Sequence, residues 1–158
     1  MTINVAIMGA GLAGLSCALT LEKHGIKPTI FEKRRQVGDR FPNGEIILSA
    51  LSSPHVDPLA YLSETYEIHL QPTGHIGKLT VYSEHEKAQI SGQLGFSNLR
   101  GREADSLEKQ LARQVKTKIH FHSKRSYEEL LEEFTHVVLA TGDGAYAQEL
   151  RNYRTDLT

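Results

Sequence analysis

Apolar positions keep two different rhythms along the first 33 residues. Ile3 to Met8 (INVAIM) is an apolar, β-branched run of the kind that forms a buried strand. It stops at Gly9. From Gly11 the apolar positions recur at helical spacing, with Leu12, Leu15 and Leu19 on one face and Ala18 and Leu21 beside it. Lys23 and His24 fall in the last turn, and Gly25 supplies the C-terminal stop. KPTIFEK resumes as a second strand that ends near Glu32. Strand, glycine turn, helix and strand make one βαβ unit of ordinary length.

Beyond this unit the pattern changes. Gly38 to Gly44 (GDRFPNG) reads as loop, and EIILSALS, from Glu45, as a short helix or strand. Pro54 and Pro58 break the chain, and Asp57 followed by Pro58 begins a helix through DPLAYLSETY. Residues 68 to 96 hold short alternating segments (IHLQPTG, KLTVYSE, AQISGQLGF) punctuated by Gly74, Gly77, Gly92 and Gly95, which predicts an antiparallel β meander. EADSLEKQLARQV returns to helical periodicity through Leu107, Leu111 and Val115. KIHFH reads as a strand and SYEELLEEF as an acidic amphipathic segment with a solvated face. HVVLATG is a second near-continuous apolar strand, ending in a small-residue turn at Thr141 and Gly142. No repeat or linker divides the chain, so residues 1–158 read as a single α/β domain.

Composition narrows the function classes. At 158 residues, 39% hydrophobic and 23% charged, the chain can bury a real core. A formal net charge of -1 leaves no electrostatic footprint for nucleic acid, and Lys33 to Arg35 is too short a basic run to create one. No apolar run approaches the roughly 20 residues of a membrane span, and the N-terminus lacks a secretory pattern. A soluble, cytoplasmic protein is expected. Cys17 is the single cysteine, so neither an internal disulfide nor a redox cysteine pair is available. His120 and His122 would share one strand face, but without a third ligand they read as ordinary strand residues rather than a metal site.

The glycine turn carries the chemistry. Gly9, Ala10, Gly11, Leu12, Ala13 and Gly14 match G-x-G-x-x-G directly after a strand and at the start of a helix, the context that makes this pattern informative. Gly9 permits the tight turn, Gly11 lets a pyrophosphate approach the backbone, and Gly14 lets the helix lie close on the sheet. The helix dipole adds ~1 kcal/mol for an anion at that end. Glu32, about 20 residues further on, stands where an acid binds a ribose hydroxyl pair. Its carboxylate disfavours a 2′-phosphate, whereas Lys33 and Arg34 read alternatively as 2′-phosphate ligands.

These residues resemble the flavin-binding, glutathione-reductase-like superfamily of two-dinucleotide-binding-domain proteins. VAIMGAGLAGLSCALTLEKHGIKPTIFEKRRQVGDR is similar to its N-terminal FAD fingerprint, extended from Glu32 through Val37 and Gly38 to Arg40. THVVLATGDG is similar to its later strand and turn, which passes close to FAD at Thr141 and Gly142. The resemblance implies a Rossmann-like parallel sheet with an inserted antiparallel meander and FAD as cofactor. VGDR resembles the Gly-Gly-Arg of amine oxidases and carotenoid desaturases, with Asp39 in place of the second glycine. The early arrival of VVLATG instead resembles the geranylgeranyl-reductase and p-hydroxybenzoate-hydroxylase-like branch. LRGREADSLEKQLARQ is similar to that branch's Arg-led helix, which implies Arg100, or in second place Arg102, near the flavin.

In that branch the chain continues into a substrate domain and a late Gly-Asp motif, and TGDG is assigned here to the earlier turn. No catalytic base or nucleophile stands out. The expected function is therefore the N-terminal FAD-binding portion of a longer oxidoreductase, with NAD(P)H a candidate electron donor and the flavin supplying the chemistry. The alternatives are an NAD-binding Rossmann enzyme and a free-standing dinucleotide-binding module without catalysis.

Overall fold

Alternation within the first strand, β1 (Val5–Met8), sends Val5 and Ile7 to one face of a sheet and Ala6 and Met8 to the other. All four are buried, so this strand is the centre of the fold. The structure is a computed structural model that describes residues 2–40, 43–49 and 57–142. A helix, α1 (Leu12–Lys23), follows the glycine turn and buries Gly14, Leu15 and Ala18. It ends as expected: Gly25 adopts φ +76, its N–H bonds Glu22 O, and the Ile26 N–H bonds Leu21 O. β2 (Thr29–Phe31) then pairs in parallel with β1.

An antiparallel unit follows, built of β3 (Asn43–Ile47), β4 (Gly74–Tyr82) and β5 (Lys87–Arg100), with α2 (Pro58–Tyr66) between β3 and β4. Asp57 starts α2 as its side chain predicts, with Oδ1 accepting from the Leu59 and Ala60 amides. The antiparallel insertion is present, but its membership differs from the expectation. The sheet order is β3-β5-β4, so the strand at Asn43–Ile47 takes the place expected for IHLQPTG. Ile68 is buried outside any strand, where it closes the end of α2. Gly92 and Gly95 lie inside β5 rather than ending it.

The chain then returns to the parallel sheet through α3 (Leu107–Gln114), β6 (Ile119–His120), α4 (Tyr127–Glu133) and β7 (His136–Leu139). Among the described residues the parallel order is β6-β2-β1-β7, a Rossmann-like arrangement in which the chain steps outward to β6 and then crosses to the other side of β1. One face packs Ile7, Ile30, Leu15 and Leu111 together. Each such fully buried aliphatic side chain contributes about 1.5–3 kcal/mol. The other face packs Ala6 and Met8 against Leu130 of α4. The acidic segment is thus solvated outside and anchored inside by that leucine, and a Ser126–Glu129 capping box starts its helix.

One expectation is corrected here. KIHFH forms a strand only at Ile119 and His120, and His122 turns away with φ +55, so the two histidines do not share a strand face. β6 follows the antiparallel insertion and pairs in parallel with β2. Phe41, Pro42, the end of EIILSALS, Pro54, Asp143 and Gly144 lie outside the described residues. Among the described residues no helix is long and apolar enough to cross a membrane.

Candidate functional site: the glycine cradle and its walls

Three glycines of the turn have three different surroundings. Gly9 adopts φ +105, and a Cβ there would stand 2.6 Å from the Ala140 carbonyl oxygen. A Cβ at Gly14 would overlap the Gly9 carbonyl oxygen, so α1 lies directly on the turn. At Gly11 nothing lies within 4 Å of the Cβ position. Two glycines therefore close the turn against the protein, and the middle one opens outward. Gly11 has no side chain to cap α1, so the first amides of the helix receive no acceptor from the N-cap residue. An open backbone surface at an uncapped helix N-terminus fits the pyrophosphate of a dinucleotide.

Glu32 forms one wall. It follows β2 directly and is only 9% exposed. Its Oε2 accepts from the Ala10 N–H at 2.8 Å, and its Oε1 accepts from the Arg34 N–H at 2.8 Å. Each carboxylate oxygen has a second acceptor site, so ribose hydroxyls can still be bound. The segment after β6 runs alongside: the Glu32 N–H bonds His120 O, the Ser123 N–H bonds Glu32 O, and the His122 N–H bonds Arg34 O, all within 3.0 Å. Lys33 and Arg34 are exposed next to this wall.

From Lys33 the chain crosses as a strap to the other wall. Gly38 adopts φ +80, and a Cβ there would overlap the Gly101 carbonyl, so strap and β5–α3 connection touch through their backbones. Asp39 sits at this contact and accepts from Arg102 Nε at 2.6 Å and from Gln36 Nε2 at 2.9 Å. Burial pushes the Asp39 carboxyl up, but the bonds from Gln36 and Arg102 and the charges of Arg102 and Arg35 outweigh it and hold the group below its ordinary value. Arg40 ends the strap. Its Nη1 donates to Thr141 O at 2.8 Å and its Nη2 to Gly142 O at 3.1 Å, which joins the strap to the turn after β7.

Arg100 is bonded to two carboxylates. Its Nε donates to Glu108 Oε1 at 2.8 Å and its Nη1 to Glu45 Oε2 at 2.7 Å. Burial opposes the guanidinium's charge, yet the bonds to Glu45 and Glu108 prevail and raise it above its ordinary value. Glu108 Oε2 also accepts from the Gly101 N–H at 3.1 Å. The side chain thus ties β5 to β3 and to the start of α3. Glu45, Glu108, and the pairing of Asp39 with Arg102 were not singled out from sequence. Asp39 in a glycine position was the available signal, because a half-buried carboxylate there requires a cationic partner.

Two hollows lie apart from this turn. One of about 410 Å³ lies between Asp57 and the β4–β5 strands, and one of about 700 Å³ lies at the opposite end of the parallel sheet, around Lys27 and Lys118. Neither is lined by the glycine turn or Glu32.

Residues 3–154 match the pyridine nucleotide-disulphide oxidoreductase family, and the chain belongs to it. Its single cysteine leaves it without the cysteine pair of a disulphide centre. Over 34 residues it is 53% identical to the methylenetetrahydrofolate–tRNA-(uracil-5-)-methyltransferase TrmFO of Lawsonia intracellularis, a match spanning 22% of this chain and 8% of that protein. Among solved structures, 2-methyl-3-hydroxypyridine-5-carboxylic acid oxygenase aligns at TM-score 0.49 and 18% identity, over 78% of this chain and 32% of that one. A geranylgeranyl bacteriochlorophyll reductase-like protein from Thermoplasma acidophilum aligns at TM-score 0.48 and 19% identity, over 75% and 30%. The alignments with these solved structures thus span about a third of their length.

Proposed function

We propose that this chain is the FAD-binding portion of an oxidoreductase and that its cradle holds the ADP part of FAD. The observation that carries the reading is the open, uncapped backbone at Gly11 beside the buried carboxylate of Glu32. In it, the amides at the start of α1 receive the pyrophosphate, and Glu32 receives the ribose hydroxyls. The same carboxylate repels a 2′-phosphate, which favours an unphosphorylated ribose. Family membership and the antiparallel unit inserted between β2 and β6 support FAD over NAD. FAD, when bound, supplies hydride or electron transfer, and the residues described here bind and orient it. The electron donor in this reading is NAD(P)H, the location cytoplasmic, and the substrate-binding residues are contributed by protein outside these residues.

Equilibrium dialysis of the full chain against FAD, NAD and NADP tests this. Retention of a yellow chromophore with flavin absorbance is the expected result. Selective retention of NAD overturns it in favour of a nicotinamide-binding domain.

A further inference from the structure

In the FAD reading, strand order gives each half of the dinucleotide its own side of the sheet. The chain moves from β1 to β2 and β6 on one side, then to β7 on the other, so the order reverses between β1 and β7. Ligands of open parallel sheets lie across the carboxyl ends of the strands at such a reversal. Glu32 marks the β2 side and Gly11 the middle, above β1. In that reading the turn after β7, Ala140 to Gly142, bounds the half that carries the flavin.

Arg40 fixes that turn through two adjacent carbonyls, Thr141 O at 2.8 Å and Gly142 O at 3.1 Å. The guanidinium lies close enough that a Cβ on Gly142, which adopts φ +69, would stand 2.8 Å from Nη1. Just before Arg40 the strap is also pinned by the backbone contact of Gly38 with Gly101 and by the Asp39–Arg102 pair, and its start is held by Glu32 through the Arg34 N–H. We propose that Arg40 is a positioning residue for the flavin-bearing half of the dinucleotide. By latching the strap to Thr141 and Gly142 it sets the β7 wall of the groove, while the adenosine half depends on Glu32. A planar fork of donors suits two neighbouring carbonyls, and a lysine reproduces only part of that geometry. The inference rests on the FAD reading above.

Calorimetric titration of the full chain with FAD, and separately with ADP, tests it in the parent, Arg40→Ala and Arg40→Lys. Arg40→Ala is expected to weaken FAD about tenfold, the weight of a charge-assisted bond, with ADP affinity unchanged and Arg40→Lys intermediate. A general loosening of the fold would weaken both ligands together. Equal losses for FAD and ADP, or no loss for either, overturn the inference. If Arg40→Ala does not fold, the FAD-to-ADP affinity ratio of Arg40→Lys decides in the same way. A parent chain that binds ADP but not FAD overturns the cofactor reading itself, and this inference with it.

Discussion

The Ala10 N–H donates to Glu32 Oε2 at 2.8 Å, so the acid proposed to take the ribose also holds the glycine turn to the end of β2. The second oxygen holds the start of the strap through the Arg34 N–H. Glu32→Ala leaves both amides without this acceptor and is expected to cost about 1–3 kcal/mol in urea denaturation without nucleotide. Glu32→Gln keeps one acceptor oxygen and should lose less. Equal stability of all three proteins would show that the carboxylate acts on ligand alone.

The glycines should separate by their surroundings. Gly14→Ala forces a Cβ into the Gly9 carbonyl and is expected to destabilise the fold by about 1–3 kcal/mol, or more if the turn cannot shift. Gly11→Ala meets nothing within 4 Å, so its melting temperature should match the parent's. Reversal of that order in thermal unfolding would contradict the packing described.

Acid should loosen the strap. Asp39 is held below its ordinary value in the folded chain, so its contribution to stability is complete above the carboxyl's unfolded value. It is lost as pH falls through the depressed folded value. Asp39→Asn is therefore expected to be less stable than the parent at neutral pH, with the difference shrinking toward the acid limit. Denaturation midpoints measured across pH check this, and a gap that widens in acid would refute the assignment.

Arg100 should matter to the fold. Glu108 is buried at 4% exposure, and removal of its cationic partner leaves that charge inside the protein. Arg100→Ala is expected to cost about 3 kcal/mol in chemical denaturation. A variant as stable as the parent would free Arg100 for the direct flavin role implied by resemblance.

These relationships divide what sequence patterns carry from what they do not. The first βαβ unit is local: an apolar run, glycines at fixed spacing, a helical stripe and Gly25 as stop each act within a few residues. Asp57 announces its helix in the same way. The walls of the cradle are not local. Arg40 meets Thr141 only because the antiparallel unit is inserted between them in the chain, and Arg100 meets Glu45 only because β3 and β5 pair within that unit. No periodicity encodes such pairings. His122 departs from strand alternation for a related reason: KIHFH alternates like a strand, but the chain turns after His120 to run along Glu32 and Arg34.

The central claim is that the open backbone at Gly11 receives the pyrophosphate of FAD. Calorimetric titration of FAD into the parent chain and into Gly11→Val tests it most directly, with circular dichroism and melting temperature as controls on the fold. The parent is expected to bind FAD, and Gly11→Val to keep the parent's fold and lose the ligand. A Gly11→Val chain that binds FAD as tightly as the parent, or a parent that binds none, would contradict it.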